Sequence, residues 1–287
     1  MSVTTATKAS VEAGSSGESV VPRQQQLIVT LLGLYFTGPG DSIAVADLIT
    51  LLGGCGVESS AVRSSVSRLK KRGLLVNQRH GRATWYAPSA KMHEVFDEGD
   101  ERIFHPRRAQ VGDPWLVAAF TVPEEKRHLR HRIRTIFTKW GAGSVTPGVW
   151  ITPGHNRDRI VAELAHEQLT RFVDFFASEY VGEDVASKVA SWWDLPTLAG
   201  MYESFVQQWE GAMDEDVSLL SPGDAFCRTL TLMTQWRRLP YLDPGLPLEV
   251  LPEPWPAQAA YELMQELHDR WTPLAQQHVD EVTGASR

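Results

Sequence analysis

Residues 57–86 constrain this chain more than any other stretch, because one period of hydrophobicity gives way to another beside a block of cations. Read at about 100° per residue, Val62, Ser65, Val66 and Leu69 fall on one side of a helix. Ser60, Ser64, Ser67 and Lys71 lie on the other, flanked by Arg63 and Arg68, with no carboxylate among them. The apolar side can pack on a small core. Short hydroxyls let the other side approach a groove closely, and the arginines can reach guanine edges or phosphates. Gly73 follows the last cations, where a helix is expected to stop, and Glu58 or Ser59 can cap its start.

After Gly73 the pattern suits two short strands carrying Leu74, Val76, Thr84 and Tyr86. Arg79, His80 and Arg82 surround Gly81 at a basic turn between them. A helix followed by a basic hairpin is the layout of a winged helix-turn-helix, whose second helix enters the major groove. A solvated amphipathic helix with an ordinary hairpin is the bland alternative. Charge favours the first reading. Residues 22–90 hold eight Lys/Arg against three carboxylates (+5), whereas residues 91–287 hold 19 basic and 30 acidic side chains (−11). A basic module on an acidic body suits selective DNA binding with weak non-specific retention.

Upstream, Leu27, Ile28, Leu31, Leu32 and Tyr35 share the face of a first helix over residues 23–36, which Gly38-Pro39-Gly40 ends. Ile43 and Val45 can supply a short strand to the hairpin, and Leu48, Ile49 and Leu52 mark the second helix. Residues 1–21 contain no aromatic and no signal-peptide core, and read as a disordered tail. The greasiest run, residues 27–36, is about half of what a membrane span requires. Two cysteines, Cys55 and Cys227, are too few for a disulfide framework, so the expectation is reduced thiols in a soluble, cytoplasmic protein.

Several separated motifs carry a resemblance to a known family. They are Pro22-Arg23, Gly33-Leu34-Tyr35, the run from Ala61 to Gly73, Gly148-Val149-Trp150-Ile151-Thr152-Pro153, Trp193-Asp194-Leu195 with Tyr202 and Phe205, and Asp243-Pro244-Gly245-Leu246-Pro247. In this order the chain resembles the PaaX-type repressors, regulators of phenylacetate degradation that respond to phenylacetyl-CoA. The likeness spans residues 22–280. It implies double-stranded operator DNA as partner, an aryl-acyl-CoA as effector, and a homodimer; no membrane and no cofactor is expected.

Beyond the basic module, residues 91–111 are charged and irregular, and read as a linker. Residues 112–183 read strand, helix, strand, helix, strand, which fits a ferredoxin-like α+β unit, as the resemblance also implies. Helix or strand stays open at residues 170–176. Residues 184–287 read as a mostly helical effector and dimerisation domain, with a proline-broken loop over residues 239–255 and a final helix over residues 257–271. The expected fold is thus multi-domain α+β: winged helix-turn-helix at residues 22–90, then the linker, the ferredoxin-like unit and the helical domain.

No phosphate-binding loop, dinucleotide fingerprint, serine elbow or Cys-x-x-Cys pair occurs. His128 and His131 are three apart but sit among Arg127, Arg130, Arg132 and Arg134, which would repel a metal ion. A metal-dependent nucleic-acid enzyme would need a carboxylate at the end of the first central strand, and Phe120-Thr121-Val122-Pro123 offers none. The reading is therefore a non-enzyme that senses a ligand, with a constitutive DNA binder as the other alternative. A CoA ester needs cations for its phosphates and an apolar slot for its acyl group. Arg127, Arg130 and Arg134 on the helix over residues 124–140 are candidates for the first. Trp192, Trp193, Trp236 with Arg237 and Arg238, and Trp255 are candidates for the slot, against the plainer view of solvated cations and core aromatics.

Overall fold

The structure, a computed structural model, describes residues 23–80 and 83–284. The tail at residues 1–21 lies outside the described residues, as do Gly81, Arg82 and the side chains of Arg79 and His80 at the hairpin tip. The chain opens with α1 (Arg23–Tyr35), β1 (Ile43–Ala44), α2 (Val45–Gly54), α3 (Ser59–Lys71), β2 (Leu75–His80) and β3 (Ala83–Pro88). The period expected for α3 holds: Val62, Ser65, Val66 and Leu69 are buried and the hydroxyl-and-cation side is exposed. Glu58 occupies the N-cap position of α3 without a side-chain bond. At its other end Gly73 takes φ +74°, which lets Leu74 N–H reach the Leu69 carbonyl at 3.0 Å and closes the helix. The strands form an antiparallel sheet in the order β1-β3-β2, with Ile43 opposite Tyr86 and Asn77 opposite Tyr86 on the other side.

This module does not close its own core. Leu27, Ile28, Leu31, Leu48, Val62, Val66 and Leu69 share one buried cluster with Phe226, Leu230, Ala275 and Val279. Those four come from α9 (Pro222–Trp236) and α11 (Ala257–Gly284) of the C-terminal part. Phe226 is fully buried, with its ring 5.8 Å from that of Tyr35, and Thr234 donates to Thr30 at 2.9 Å. Cys55, at the C-cap of α2, forms a disulfide with Cys227 of α9. The expectation of two reduced thiols is thereby corrected: a separation of 172 residues hid Cα atoms that folding brings to 5.3 Å.

A second correction concerns residues 91–111. Far from being irregular, they begin inside α4 (Ala90–Phe104). Ser89 caps it, accepting from Met92 N–H at 3.2 Å, while its own hydroxyl donates to the Gly73 carbonyl at 2.7 Å. Met92, Phe96, Gly99 and Arg102 form the buried face, and the acidic residues that made the stretch look like a linker lie mostly on the other.

The central unit comprises β4 (Trp115–Phe120), α5 (Arg127–Lys139), β5 (Gly143–Thr146), β6 (Val149–Pro153), α6 (Arg157–His166) and β7 (Val173–Ser178). Its sheet is antiparallel in the order β5-β6-β4-β7. Only alternate residues of β4 are fully buried, Leu116, Ala118 and Phe120, against Ile133, Ile136 and Phe137 of α5 and Ile160 and Leu164 of α6. The ambiguous stretch at residues 170–176 resolves into a 3-10 turn at Thr170–Phe172 and then β7. Strand β5 was not foreseen, since its Ser-Val-Thr sequence shows no apolar alternation.

The remainder is helical: α7 (Val185–Trp192), α8 (Leu195–Trp209), α9, α10 (Leu239–Leu242) and α11. Their core is aromatic, with Tyr202, Phe205, Trp209, Trp236 and Trp271 all buried. Helix α11 runs through Pro273 to Gly284 instead of ending near residue 271. Proline removes one helix bond, but Ala275 and Val279 beyond it are buried in the N-terminal cluster, and that burial keeps the helix going. Among the described residues, no helix is long and apolar enough to cross a membrane.

Two outcomes follow from the shared core. Phe226→Ala is expected to cost about 3–5 kcal/mol in urea unfolding and to raise amide exchange in α1 and α3. Reduction of Cys55–Cys227, with its long intervening loop, is expected to lower stability by about 2–5 kcal/mol in the same assay.

Candidate functional site

The exposed side of α3 is the first part of the site. Ser60, Arg63, Ser64, Ser67, Arg68 and Lys71 all face solvent, with Lys70 and Arg72 beside them. Within this set Ser64 donates to the Ala61 carbonyl at 3.1 Å, and Arg68 Nη2 donates to Ser64 Oγ at 3.3 Å. The Ser64 hydroxyl is thus turned onto its own helix. Arg63 stands beside a shallow depression shared with Ala44, Val45, Thr84 and Tyr86, between α3, the start of α2 and the hairpin. Among the described residues no carboxylate pairs with Arg63, Arg68 or Lys71.

The residues expected to hold an effector are not brought together. Arg127 and Arg134 lie exposed on α5, while Arg130 donates twice to the Val122 carbonyl, at 2.8 and 3.2 Å, and pairs with Glu124 at 2.9 Å. Trp193 sits beyond the opposite end of α5, where its indole donates to the Gly141 carbonyl at 2.8 Å and its ring covers Gly143. Trp192 packs beside it, in the cluster of Val189, Leu195 and Leu246. Arg237 lies elsewhere again, lining an apolar cavity of about 450 Å³ between α1, α4 and α9, with its Nε buried and without a partner.

A different cationic site is present where the three parts of the chain meet. A cavity of about 540 Å³ is lined by Arg102 from the end of α4, Arg107 and Arg108 after it, Arg159 of α6, and Tyr202, Trp236 and Tyr261 from the helical part. Its edge is tightly built. Asp243 accepts from Arg108 Nη2 at 3.0 Å, from the Tyr202 hydroxyl at 3.1 Å and from Gly245 N–H at 2.8 Å. Burial and the Asp243 charge hold the Tyr202 hydroxyl well above its ordinary pKa, so it remains a donor. Gly245 takes φ +69°, and a Cβ there would meet the Arg107 carbonyl at 2.4 Å, so only glycine fits.

Arg102 is the most constrained of these cations. It is 6% exposed, donates Nε and Nη2 to the carbonyls of Pro240 and Tyr241 at 3.0 and 3.2 Å, and lies over the rings of Trp140 and Tyr241. Its Nη1 has no partner, and burial works against its charge. Arg159 pairs with Glu101 at 3.0 Å. His155, between Arg107 and Arg159, is pushed down to about 4, first by burial and then by those guanidiniums. Apart from Trp236, the sequence reading missed this site, because three of its four arginines lie in the stretch read as a linker. One signal was available: Arg102 continues the buried spacing of Met92, Phe96 and Gly99, a cation on an apolar face.

Among the described residues no group of three or more His, Cys, Asp or Glu could hold a metal ion.

Fold and site define a multi-domain α+β protein with an exposed cationic helix at one end and a cationic cavity at the junction of its parts. Family models match in succession: "PaaX-like protein" over residues 23–92, "PaaX protein central Cas2-like domain" over residues 108–190, and "PaaX-like protein C-terminal domain" over residues 193–281. The chain belongs to the PaaX-like family. It is 26% identical over 262 residues to the transcriptional repressor PaaX of Escherichia coli (strain K12), covering 89% of this chain and 82% of that protein. Its fold is similar to that of an uncharacterized protein, Rv0674, from Mycobacterium tuberculosis, with a TM-score of 0.56 at 20% identity over 88% of this chain and 99% of that one.

The depressed His155 gives a pH-dependent outcome. Below its ordinary value of 6.5 the unfolded chain takes up a proton that the folded one refuses until about 4. Stability should therefore fall as pH drops through that window, and this component should vanish in His155→Gln. An NMR titration of the ring should place its midpoint near 4.

Proposed function

We propose that this protein is a DNA-binding transcriptional repressor, acting in the cytoplasm as a homodimer and released from its operator by an aryl-acyl-CoA such as phenylacetyl-CoA. The observation that carries the DNA-binding part is the exposed side of α3, with serines between cations that no carboxylate pairs among the described residues, beside an antiparallel hairpin. On this reading residues 23–88 form a winged helix-turn-helix, with α3 in the major groove and the β2–β3 hairpin as the wing. The central unit, with four antiparallel strands in the order β5-β6-β4-β7 and two helices, is read as ferredoxin-like. The Escherichia coli relative's name as a transcriptional repressor supports the regulatory role.

The effector class rests on the family likeness together with the acidic body: a poly-anionic ligand needs a local cationic site to overcome that charge. The dimer rests on affinity. One small module of modest positive charge gains strong specific binding when two half-sites are engaged together.

Replacing Arg63 with Ala should weaken operator binding by roughly 1–3 kcal/mol and relax preference at one base position. Lys71→Ala should instead weaken all sequences alike and lower the salt slope by about one. Fluorescence anisotropy over a salt series on the operator and on scrambled DNA separates the two, and unchanged operator affinity in Arg63→Ala would overturn the docking of α3. A footprint should cover inverted half-sites spaced by whole helical turns.

A further inference from the structure

We propose that the cavity between α4, α6 and the loop after α10 is a binding site for the phosphates of a small anionic ligand, and that α4 couples its occupancy to α3. Four guanidiniums, those of Arg102, Arg107, Arg108 and Arg159, line it against two carboxylates, Glu101 and Asp243, both engaged in ion pairs. This excess stands in a part of the chain whose net charge is −11. Such a concentration of like charge is costly in the empty protein and is relieved by an anion.

Arg102 makes the case specific. Two of its nitrogens are fixed by backbone carbonyls, one is buried without a partner, and among the described residues no carboxylate pairs with it. A buried cation held by carbonyls and ring faces is a preorganised anion receptor, because its geometry is set before the ligand arrives. Arg107 is exposed at the mouth and unpaired among the described residues, so it can fold over a bound phosphate. Tyr202, Trp236 and Tyr261 add aromatic surface to the lining. The volume, about 540 Å³, lies in the range of small-molecule sites. Phosphates at the arginines with an acyl or aromatic part against this surface would use both kinds of lining.

Coupling follows from where α4 begins. Its cap, Ser89, is bonded to the carbonyl of Gly73, the residue that ends α3, and Ser89 N–H donates to the Leu74 carbonyl at 3.0 Å. Midway, Phe96 lies against Gly33 of α1, where even a Cβ would stand 3.2 Å from its ring. At the far end Glu101 and Arg102 are part of the cavity. One helix of 15 residues, roughly 22 Å long, thus spans from the back of α3 to the anion site. A ligand that pulls on Arg102, or competes with Glu101 for Arg159, acts on the helix whose cap is bonded to the turn that closes α3.

The site assignment stands on geometry alone; its regulatory meaning rests on the repressor reading above. The test is calorimetric titration of the full-length protein with phenylacetyl-CoA, free coenzyme A and inorganic pyrophosphate. Arg107→Ala/Arg159→Gln is compared with Arg127→Ala/Arg134→Ala on α5, and thermal unfolding checks that both variants fold. We expect wild-type protein to bind at least the CoA probes, the cavity variant to lose tenfold or more in affinity, and the α5 variant to match wild type. Equal affinity in the cavity variant, or no binding of any probe, overturns the site. Operator affinity is then measured with saturating phenylacetyl-CoA, in wild-type protein and in Ser89→Ala. A smaller ligand-induced loss of DNA binding in Ser89→Ala supports the α4 route, and an identical loss overturns it. Cavity-dependent CoA binding with no effect on the operator would keep the anion site, overturn the coupling and remove the effector reading.

Discussion

The burial of α1 and α2, which carry α3, against α9 and α11 is the contact on which the rest of the structure depends. Val62, Val66 and Leu69, which orient the exposed side of α3, share their cluster with side chains some two hundred residues later. A three-helix module of about 65 residues buries only a modest core on its own. Here Phe226, Leu230, Ala275 and Val279 complete it, and the Cys55–Cys227 bond adds a covalent tie at the end of α2. Because a packed core transmits displacement instead of absorbing it, the C-terminal helices bear on α3 through α1 and α2, on which it packs. The same helices carry Trp236 and Tyr261 to the cavity, so core and cavity share walls.

Electrostatics divides the chain along different lines. Around α3 the cations are exposed, where solvent screens them and their cost to the free protein is small. In the cavity they are clustered and partly desolvated, and Arg102 and His155 feel it in opposite ways. The histidine responds by giving up its proton, whereas a guanidinium stays charged and keeps its position through carbonyls and ring faces. Arg108 is neutralised by Asp243, which also holds Tyr202 and the turn at Gly245. One carboxylate therefore fixes three elements, and the Asp243-Pro244-Gly245 sequence has a clear mechanical role.

Most of the secondary structure of the N-terminal module was legible in the sequence because its signals are local. Period, cap and stop of α3 lie within about fifteen residues, and Gly73 needs a positive φ for reasons internal to the turn. The order of elements in the central unit was largely legible too, apart from β5, whose short strand has no alternation to read. What stayed hidden depends on long-range placement. The charged stretch after residue 90 is a helix because Met92 and Phe96 find a surface to cover, and local charge density gave no sign of that surface. Cys55 and Cys227 look unrelated until α2 and α9 pack. The cavity draws on residues 102, 108, 159, 202 and 243, and no window of sequence contains them together. The sequence instead pointed to α5, where the arginines are dense but open to water or, like Arg130, already bonded.

The energetic scale of the proposed coupling is compatible with the contacts that would carry it. A hundredfold change in operator affinity corresponds to about 2.7 kcal/mol. Each hydrogen bond at Ser89 is worth about 0.5–1.5 kcal/mol net, and a charged group that gains a partner in a desolvated site contributes about 1.5–3 kcal/mol. One ligand contact at Arg102, set against one or two bonds at the other end of α4, is enough to shift such an equilibrium. No large rearrangement is required. A helix that is stiff along its axis and tied at both ends converts a small displacement at the cavity into a change of seat for α3, provided that the shared core has two arrangements close in energy.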